Sequence, residues 1–246
     1  MTEIDRTGQV ALVTGGAVRL GRAMSLALAG RGMRLAVHYN RSAEDAEALC
    51  REIAGQGGTA EAFGEDFSAS GAAERLAGRV VERFGGVDVL VNSASVFPPQ
   101  TLEETDEALW DQTVAVNLRA PFFLIRHLAA TLRERGGVVV NMADLAGMQP
   151  WARHAAHGIA KAGIIHLTRV AARALAPEVR VVGIAPGAVL PPEGTTPAEM
   201  ARLGRMAALG RTGSADDVVK ALLYLLDAGF VTGETLVVDG GRLLRG

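Results

Sequence analysis

The sequence predicts a doubly wound α/β fold, a parallel sheet with helices on both faces. Short runs that are apolar nearly throughout, such as 10–13 and 138–142, alternate with longer stretches of helical periodicity. A strand without a polar face is buried on both sides, as in a parallel sheet covered by helices. The regular alternation of strand and helix dictates βαβ units. A third observation is that no repeat or low-complexity linker divides the 246 residues, which argues for one domain.

The elements follow in order. The run 10–13 stops at Thr14-Gly15-Gly16, and a helix follows over 20–31. A strand over 33–39 leads into a helix over 43–56, for which Ser42 is a candidate N-cap. The pattern repeats as strand 59–63, helix 72–84 and strand 87–91. A long helical stretch, 107–134, is expected to break near 117–121, where it meets Pro121. Strand 138–142, helix 155–175, strand 179–184, helix 216–226 and strand 235–238 complete the chain. The irregular, Pro- and Gly-rich stretch 187–196 follows the sixth strand, at the sheet end where ligand-facing loops gather. We read it as part of a short substrate loop reaching to about 206, with Glu193 unassigned, and not as a domain boundary.

Composition bounds the function. With 49% apolar residues, 21% charged residues and a net charge of -2, the chain suits a large core. It offers no electrostatic basis for binding nucleic acid or a membrane surface. The single cysteine, Cys50, falls in a helix, so neither a disulfide framework nor a zinc spacing is available, and no metal site is expected. The polar N-terminus, with Glu3, Asp5 and Arg6, does not read as a signal peptide, and no apolar run is long enough for a bilayer. A cytoplasmic protein acting on a small molecule is the expectation.

Thr14-Gly15-Gly16-Ala17-Val18-Arg19-Leu20-Gly21 joins the first strand to the first helix. Glycines in such a turn let backbone approach a pyrophosphate, and the helix N-terminus adds free N–H groups and partial positive charge. With this turn the chain resembles the short-chain dehydrogenase/reductase family, whose T-G-x-x-x-G-x-G pattern it carries with Arg19 at the middle glycine. The T-G-x-x-x-R-L-G form is similar to pteridine reductases, a branch in which this arginine contacts cofactor phosphate and the pterin side of the site. The resemblance runs from about 9 to 244 and includes Asn92-Ser93-Ala94-Ser95, Pro186-Gly187 and Val238-Asp239-Gly240-Gly241. It implies a single Rossmann-type domain over 1–246 and, by family habit, a homotetramer built on the helices at 107–134 and 155–175.

NAD enzymes of this fold place an acidic residue at the end of the second strand, to bind ribose hydroxyls. Here the string is His38-Tyr39-Asn40-Arg41-Ser42, with no carboxylate. Arg41 and Ser42 suit a 2′-phosphate through charge-assisted hydrogen bonds, which points to NADPH; the alternative is an ordinary helix start. The resemblance implies a cofactor site drawn from Gly15, Arg19 and Leu20, and from His38, Tyr39, Asn40, Arg41 and Ser42. Asp66, Phe67, Asn92, Ala94, Ser95, Lys161, Pro186, Gly187 and Val189 complete that set.

Four residues along a helix place two side chains on one face. The family's tyrosine and lysine have that spacing, and the lysine here is Lys161, which makes His157 the occupant of the tyrosine position. Thirteen positions upstream, where the family carries serine, stands Asp144, again similar to pteridine reductases. Asn117 takes the place of the helix asparagine that holds a water in the proton relay. An imidazolium is a competent acid near neutral pH; Lys161 disfavours that charge and an ionised Asp144 favours it. Three readings stand open: His157 is the working acid, or Asp144 or a water donates the proton, or the chain is a weak or inactive cofactor-binding protein. His154 breaks the four-residue spacing and is a poor substitute.

Phe97 follows Ser95 closely, and an aromatic face is a good platform for a flat heterocycle. The alternative is a loop-packing phenylalanine. With Arg19, Ser95, Asp144, His157 and Leu190 as substrate-side candidates, the leading expectation is an NADPH-dependent reductase of a pterin or related heterocycle. A carbonyl or 3-oxoacyl reductase, and an NADPH-binding sensor, are the alternatives. Trp151 lines the mouth or packs an oligomer.

Overall fold

A computed structural model describes residues 4–190 and 194–245. Seven parallel strands form one sheet in the order β3-β2-β1-β4-β5-β6-β7. They are β1 (Val10–Val13), β2 (Arg34–Tyr39), β3 (Ala60–Gly64), β4 (Val89–Asn92), β5 (Val138–Met142), β6 (Arg180–Pro186) and β7 (Thr235–Val238). The expected fold class is therefore observed. Strand order reverses beside β1, which pairs with β2 on one side and β4 on the other. At such a switch point the connections leave in opposite directions and open a crevice at the carboxyl ends of the strands.

The helices are α1 (Arg19–Gly30), α2 (Ala43–Gly55), α3 (Ala72–Phe84), α4 (Glu107–Val114), α5 (Ala120–Glu134), α6 (Ala155–Leu175), α7 (Pro197–Met206) and α8 (Ala215–Asp227). Met24 and Leu28 of α1, Leu49 of α2 and Leu222 of α8 cover one face of the sheet. Leu76 of α3, Leu124 and Leu128 of α5 and Ile164 of α6 cover the other. Strands of four to seven residues with both faces apolar thus obtain two cores, as their composition requires.

The break expected near 117–121 is a π turn over Ala115–Arg119, one residue wider than an α turn, and it carries Asn117. One expectation fails. The stretch reaching to 206 is not loop throughout, because α7 starts at Pro197 behind a capping box in which Thr196 accepts from Glu199 N–H and the Glu199 carboxylate returns to Thr196. The Thr196-x-x-Glu199 signal was available in the sequence. The part of the expected substrate loop at Pro191, Pro192 and Glu193 lies outside the described residues. Among the described residues no helix is long and apolar enough to cross a membrane.

Candidate active site

The glycine turn is built against β4 and β2. Thr14 is buried, and its Oγ1 accepts from Ser93 N–H at 2.9 Å and Ala94 N–H at 3.0 Å. This ties the turns after β1 and β4 together. Gly15 has φ +60°, and a Cβ there would meet Ala94 Cα at 3.0 Å; one on Gly21 would meet Gly15 O at 2.0 Å. Side chains are thereby excluded from the place a phosphate needs. No acidic residue stands in the first turn of α1 and no side chain caps it, so its N–H groups and dipole remain available to an anion.

His38 lies beneath this turn, 2% exposed. Its Nδ1 accepts from Gly15 N–H at 3.0 Å, its Nε2 donates to Glu65 O at 3.0 Å, and its ring stacks on buried Phe67 at 4.3 Å. Burial pushes its pKa down to about 4, and only the neutral ring satisfies this donor and acceptor pair. The side chains of His38 and Phe67 are thus packed behind the turn and shape it. Asn92 is buried as well and donates to Asn141 Oδ1 at 2.8 Å, while Asn141 donates to Thr168 at 3.0 Å and links β4, β5 and α6.

Asn40 and Arg41 are exposed beyond β2, and Ser42 is the N-cap residue of α2, as expected, but its side chain makes no cap hydrogen bond. Tyr39 packs against the backbone of Gly64, where a Cβ would meet its ring at 2.9 Å. Asp66 is exposed and accepts from Ser68 N–H at 2.9 Å and Ser68 Oγ at 2.8 Å, contacts that hold its carboxyl below the usual range. Arg19, at φ 50°, reaches across the cleft and donates to Leu190 O at 2.6 Å, joining the glycine turn to the segment after β6.

A cleft of about 580 Å³ opens at the switch point. Gly15, Arg19, Leu20, Ala94, Ser95, Phe97, Asp144, His157, Lys161, Pro186, Gly187, Val189 and Leu190 all line it, so most of the expected residues converge there. Gly187 is required by close approach, since a Cβ there would meet Asp239 Cα at 2.8 Å.

The chemistry sits on α6. Lys161 is almost fully buried and donates to Met142 O at 2.7 Å. Burial pushes its pKa down to about 8, against the opposing attraction of Asp144. Asp144 caps a short 3₁₀ turn over Leu145–Gly147 by accepting from Ala146 N–H at 2.7 Å. Burial raises its pKa, but the nearby His157 ring, the Ala146 N–H and the charge of Lys161 together more than offset this and leave the carboxyl below its ordinary value.

His157 is 2% exposed. Its Nδ1 lies 3.0 Å from Val96 O and 3.1 Å from Asn117 Nδ2. Its Nε2 faces Asp144 Oδ2 at 3.7 Å and, among the described residues, has no hydrogen-bond partner, although it is buried. Asn117 spends its amide on the loop below: Oδ1 accepts from Val96 N–H at 2.8 Å and Nδ2 donates to Val96 O at 2.9 Å. Asn117 thus ties the Val96 loop to the π turn beside His157.

Phe97 is 51% exposed at the cleft, its ring edge-on to His157 at 4.6 Å. His154 stacks on Phe97 at 3.8 Å and its Nδ1 donates to Pro98 O at 2.8 Å, which fixes the aromatic plate. His154 itself is held at φ 72°, a conformation unusual outside glycine. Trp151 lines the cleft, under the guanidinium of Arg242 at 5.0 Å. Sequence reasoning missed Arg242 and also Leu203, which enters on the unexpected helix α7.

These residues fit a nicotinamide dinucleotide: an open helix N-terminus and glycine cradle at one end, and a buried lysine with an unpartnered ring nitrogen at the other. Fold and site together define a dinucleotide-dependent oxidoreductase. The family described as enoyl-(acyl carrier protein) reductase matches residues 16–242. D-threitol dehydrogenase of Mycolicibacterium smegmatis is 33% identical over 97% of this chain and 94% of its own. The 3-oxoacyl-[acyl-carrier-protein] reductase of Synechocystis sp. is 31% identical over 97% and 98%. Among solved structures, the FolM alternative dihydrofolate reductase 1 from Brucella canis complexed with NADP superposes with a TM-score of 0.91 at 32% identity, covering 98% of this chain and 96% of that one. The chain belongs to the short-chain dehydrogenase/reductase family of NAD(P)-dependent oxidoreductases.

Proposed function

We propose that the chain is an NADPH-dependent reductase of a pterin or related flat heterocycle, with His157 in the family's tyrosine position as proton donor. The observation that carries this reading is the buried, unpartnered Nε2 of His157 beside Asp144. A buried polar atom without a partner is costly, and such exceptions mark functional positions.

The cofactor supplies hydride. This chain's residues do the rest. Arg41 and Ser42 stand where a 2′-phosphate would be bound, with no carboxylate at the end of β2 to prefer a free ribose. The Gly15 turn and the N-terminus of α1 hold pyrophosphate, and Lys161 holds the ribose through its ammonium. Asp144 stays ionised and orients substrate. In the imidazolium form, Nδ1–H donates to Val96 O and Nε2–H faces Asp144, so both protons are accommodated. Delivery of the Nε2 proton leaves Nδ1–H donating to Val96 O, and no ring reorientation is needed. The half-exposed Phe97 ring, backed by His154, offers the flat face on which a heterocycle stacks.

The solved FolM relative supports the substrate class. The 3-oxoacyl reductase relative favours a carbonyl substrate as the second reading. NADPH oxidation with dihydropterins, dihydrofolate and a ketone and 3-oxoacyl panel separates the two. Turnover of pterins is expected; silence on all of them with turnover of ketones contradicts the proposal. The exposed side chains of Phe122 and Val170 border an apolar groove between α5 and α6, which supports self-association along these helices; sedimentation should give an oligomer.

A further inference from the structure

We infer that Arg242 forms an acid-binding subsite at the mouth of the cleft, so that the substrate carries a carboxylate-bearing tail. The inference rests on the heterocycle reading above and adds the tail. Arg242 opens a short 3₁₀ turn, Arg242–Arg245, directly after β7 and the Asp239-Gly240-Gly241 bend. That turn is fixed from several sides. Asp239 accepts from Gly241 N–H at 2.7 Å and Leu243 N–H at 2.8 Å, and Gln149 donates to Leu243 O at 3.5 Å. The arginine backbone is therefore anchored, and its side chain extends over Trp151 with the guanidinium 5.0 Å from the ring centroid.

A guanidinium lying on an indole is held by the ring face while its N–H edges stay open. Those edges match a carboxylate in a bidentate pair. Among the described residues, the acids lining the adjoining cavity have other partners. Both carboxylate oxygens of Asp239 take backbone N–H groups, and Asp217 pairs with Arg211 at 3.7 Å and accepts from Ser214 N–H at 2.8 Å. Among the described residues no acidic side chain pairs with Arg242.

Position adds the second argument. Arg242 lines the cleft that holds Lys161 and His157, and it also lines an adjoining cavity of about 430 Å³. Ala188, Val189 and Leu203 are shared by the two spaces as well. Phe97 lines the same cleft, so a substituent on a ring stacked there can extend to this junction, where an apolar wall meets the Arg242 guanidinium. A neutral, short substituent would leave that cation unused.

The test uses full-length protein saturated with NADPH. Calorimetric titration with 4-aminobenzoyl-glutamate and with neutral 4-aminobenzamide is run on the wild type, Arg242→Met and Arg242→Lys. The acid should bind the wild type and weaken about tenfold in Arg242→Met, the loss expected when one charge-assisted pair is removed, with Arg242→Lys intermediate. In turnover, the kcat/KM ratio of dihydrofolate to dihydrobiopterin should fall about tenfold in Arg242→Met. Equal weakening of acidic and neutral probes, an unmoved ratio, or no acid binding to the wild type overturns the subsite. A shift seen only with acetoacetyl-coenzyme A also overturns it, since the arginine would then serve a thioester's phosphates. If no pterin is reduced yet acid binding depends on Arg242, the heterocycle reading falls and the subsite stands.

Discussion

Two histidines in this molecule are equally buried, His38 and His157, each 2% exposed, and under the proposed function they do opposite work. His38 sits under the glycine turn with both ring nitrogens engaged by backbone, at Gly15 N–H and Glu65 O. His157 has one nitrogen engaged by Val96 and Asn117 and the other facing Asp144 across 3.7 Å with no partner. Burial therefore does not separate a structural histidine from a working one. The count of satisfied nitrogens does, because an imidazole with both positions occupied has no proton to give and none to take.

The strongest way to break the comparison is to remove each ring in turn. His157→Phe should lower kcat/KM by about 10²–10⁴, the usual contribution of a positioned acid, with the melting temperature nearly unchanged. Steady-state rates and a thermal melt check this together. His38→Ala should do the reverse: it strands a donor and an acceptor and leaves a void beside Phe67, costing about 2–4 kcal/mol in urea unfolding. If His38→Ala leaves stability intact, the division of labour is wrong.

The acid limb of stability sharpens the same contrast. The folded pKa of His38 is about 4, below the unfolded value near 6.5, so the unfolded chain binds this proton first as pH falls. Stability from this group is complete above pH 6.5 and is lost as pH drops through about 4, an effect of about 3 kcal/mol. The difference in unfolding free energy between wild type and His38→Asn should shrink over that window.

Lys161 acts at the other end of the scale. Its folded pKa of about 8 lies below the ordinary ammonium value of 10.5, so the buried cation disfavours folding below pH 8 and that penalty fades as pH rises from 8 to 10.5. Cofactor binding should run the other way, with KM for NADPH rising several-fold between pH 7 and 9 as the ammonium is lost. A flat KM across that range would remove the lysine from the ribose site. The smallest effect belongs to His154. His154→Asn tolerates the left-handed backbone but loses the stack on Phe97, and KM for the heterocycle should rise about threefold, consistent with the ~1 kcal/mol range of aromatic pairs, with kcat little moved.

The strand positions, the π-turn break and the His157–Lys161 register were legible because apolar periodicity and i, i+4 spacing are local properties of the chain. The cleft residues Gly15, Arg19, Phe97, Asp144 and Lys161 were legible through the glycine turn and the family motifs they resemble, each lying just after a strand or on one helix face. The packing of the His38, Phe67 and Asn92 side chains behind the turn was not legible, because sequence gives the end of a strand but not which neighbours bury each side chain. Asn117 was placed correctly on its turn, yet only the geometry shows its amide spent on Val96. Arg242 was invisible, since a guanidinium–indole contact between Trp151 and a residue far along the chain leaves no local signal. Helix α7 was a different failure, because its capping box could have been read.

The central claim is that the unpartnered nitrogen of His157 supplies the proton. Single-turnover oxidation of bound NADPH by a dihydropterin, followed at 340 nm for wild type and His157→Phe in H₂O and D₂O, tests it most directly. The account requires a loss of at least about 10²-fold in the variant and a solvent isotope effect in the wild type that the variant lacks. A His157→Phe protein that turns over at the wild-type rate, with the same isotope effect, would contradict it.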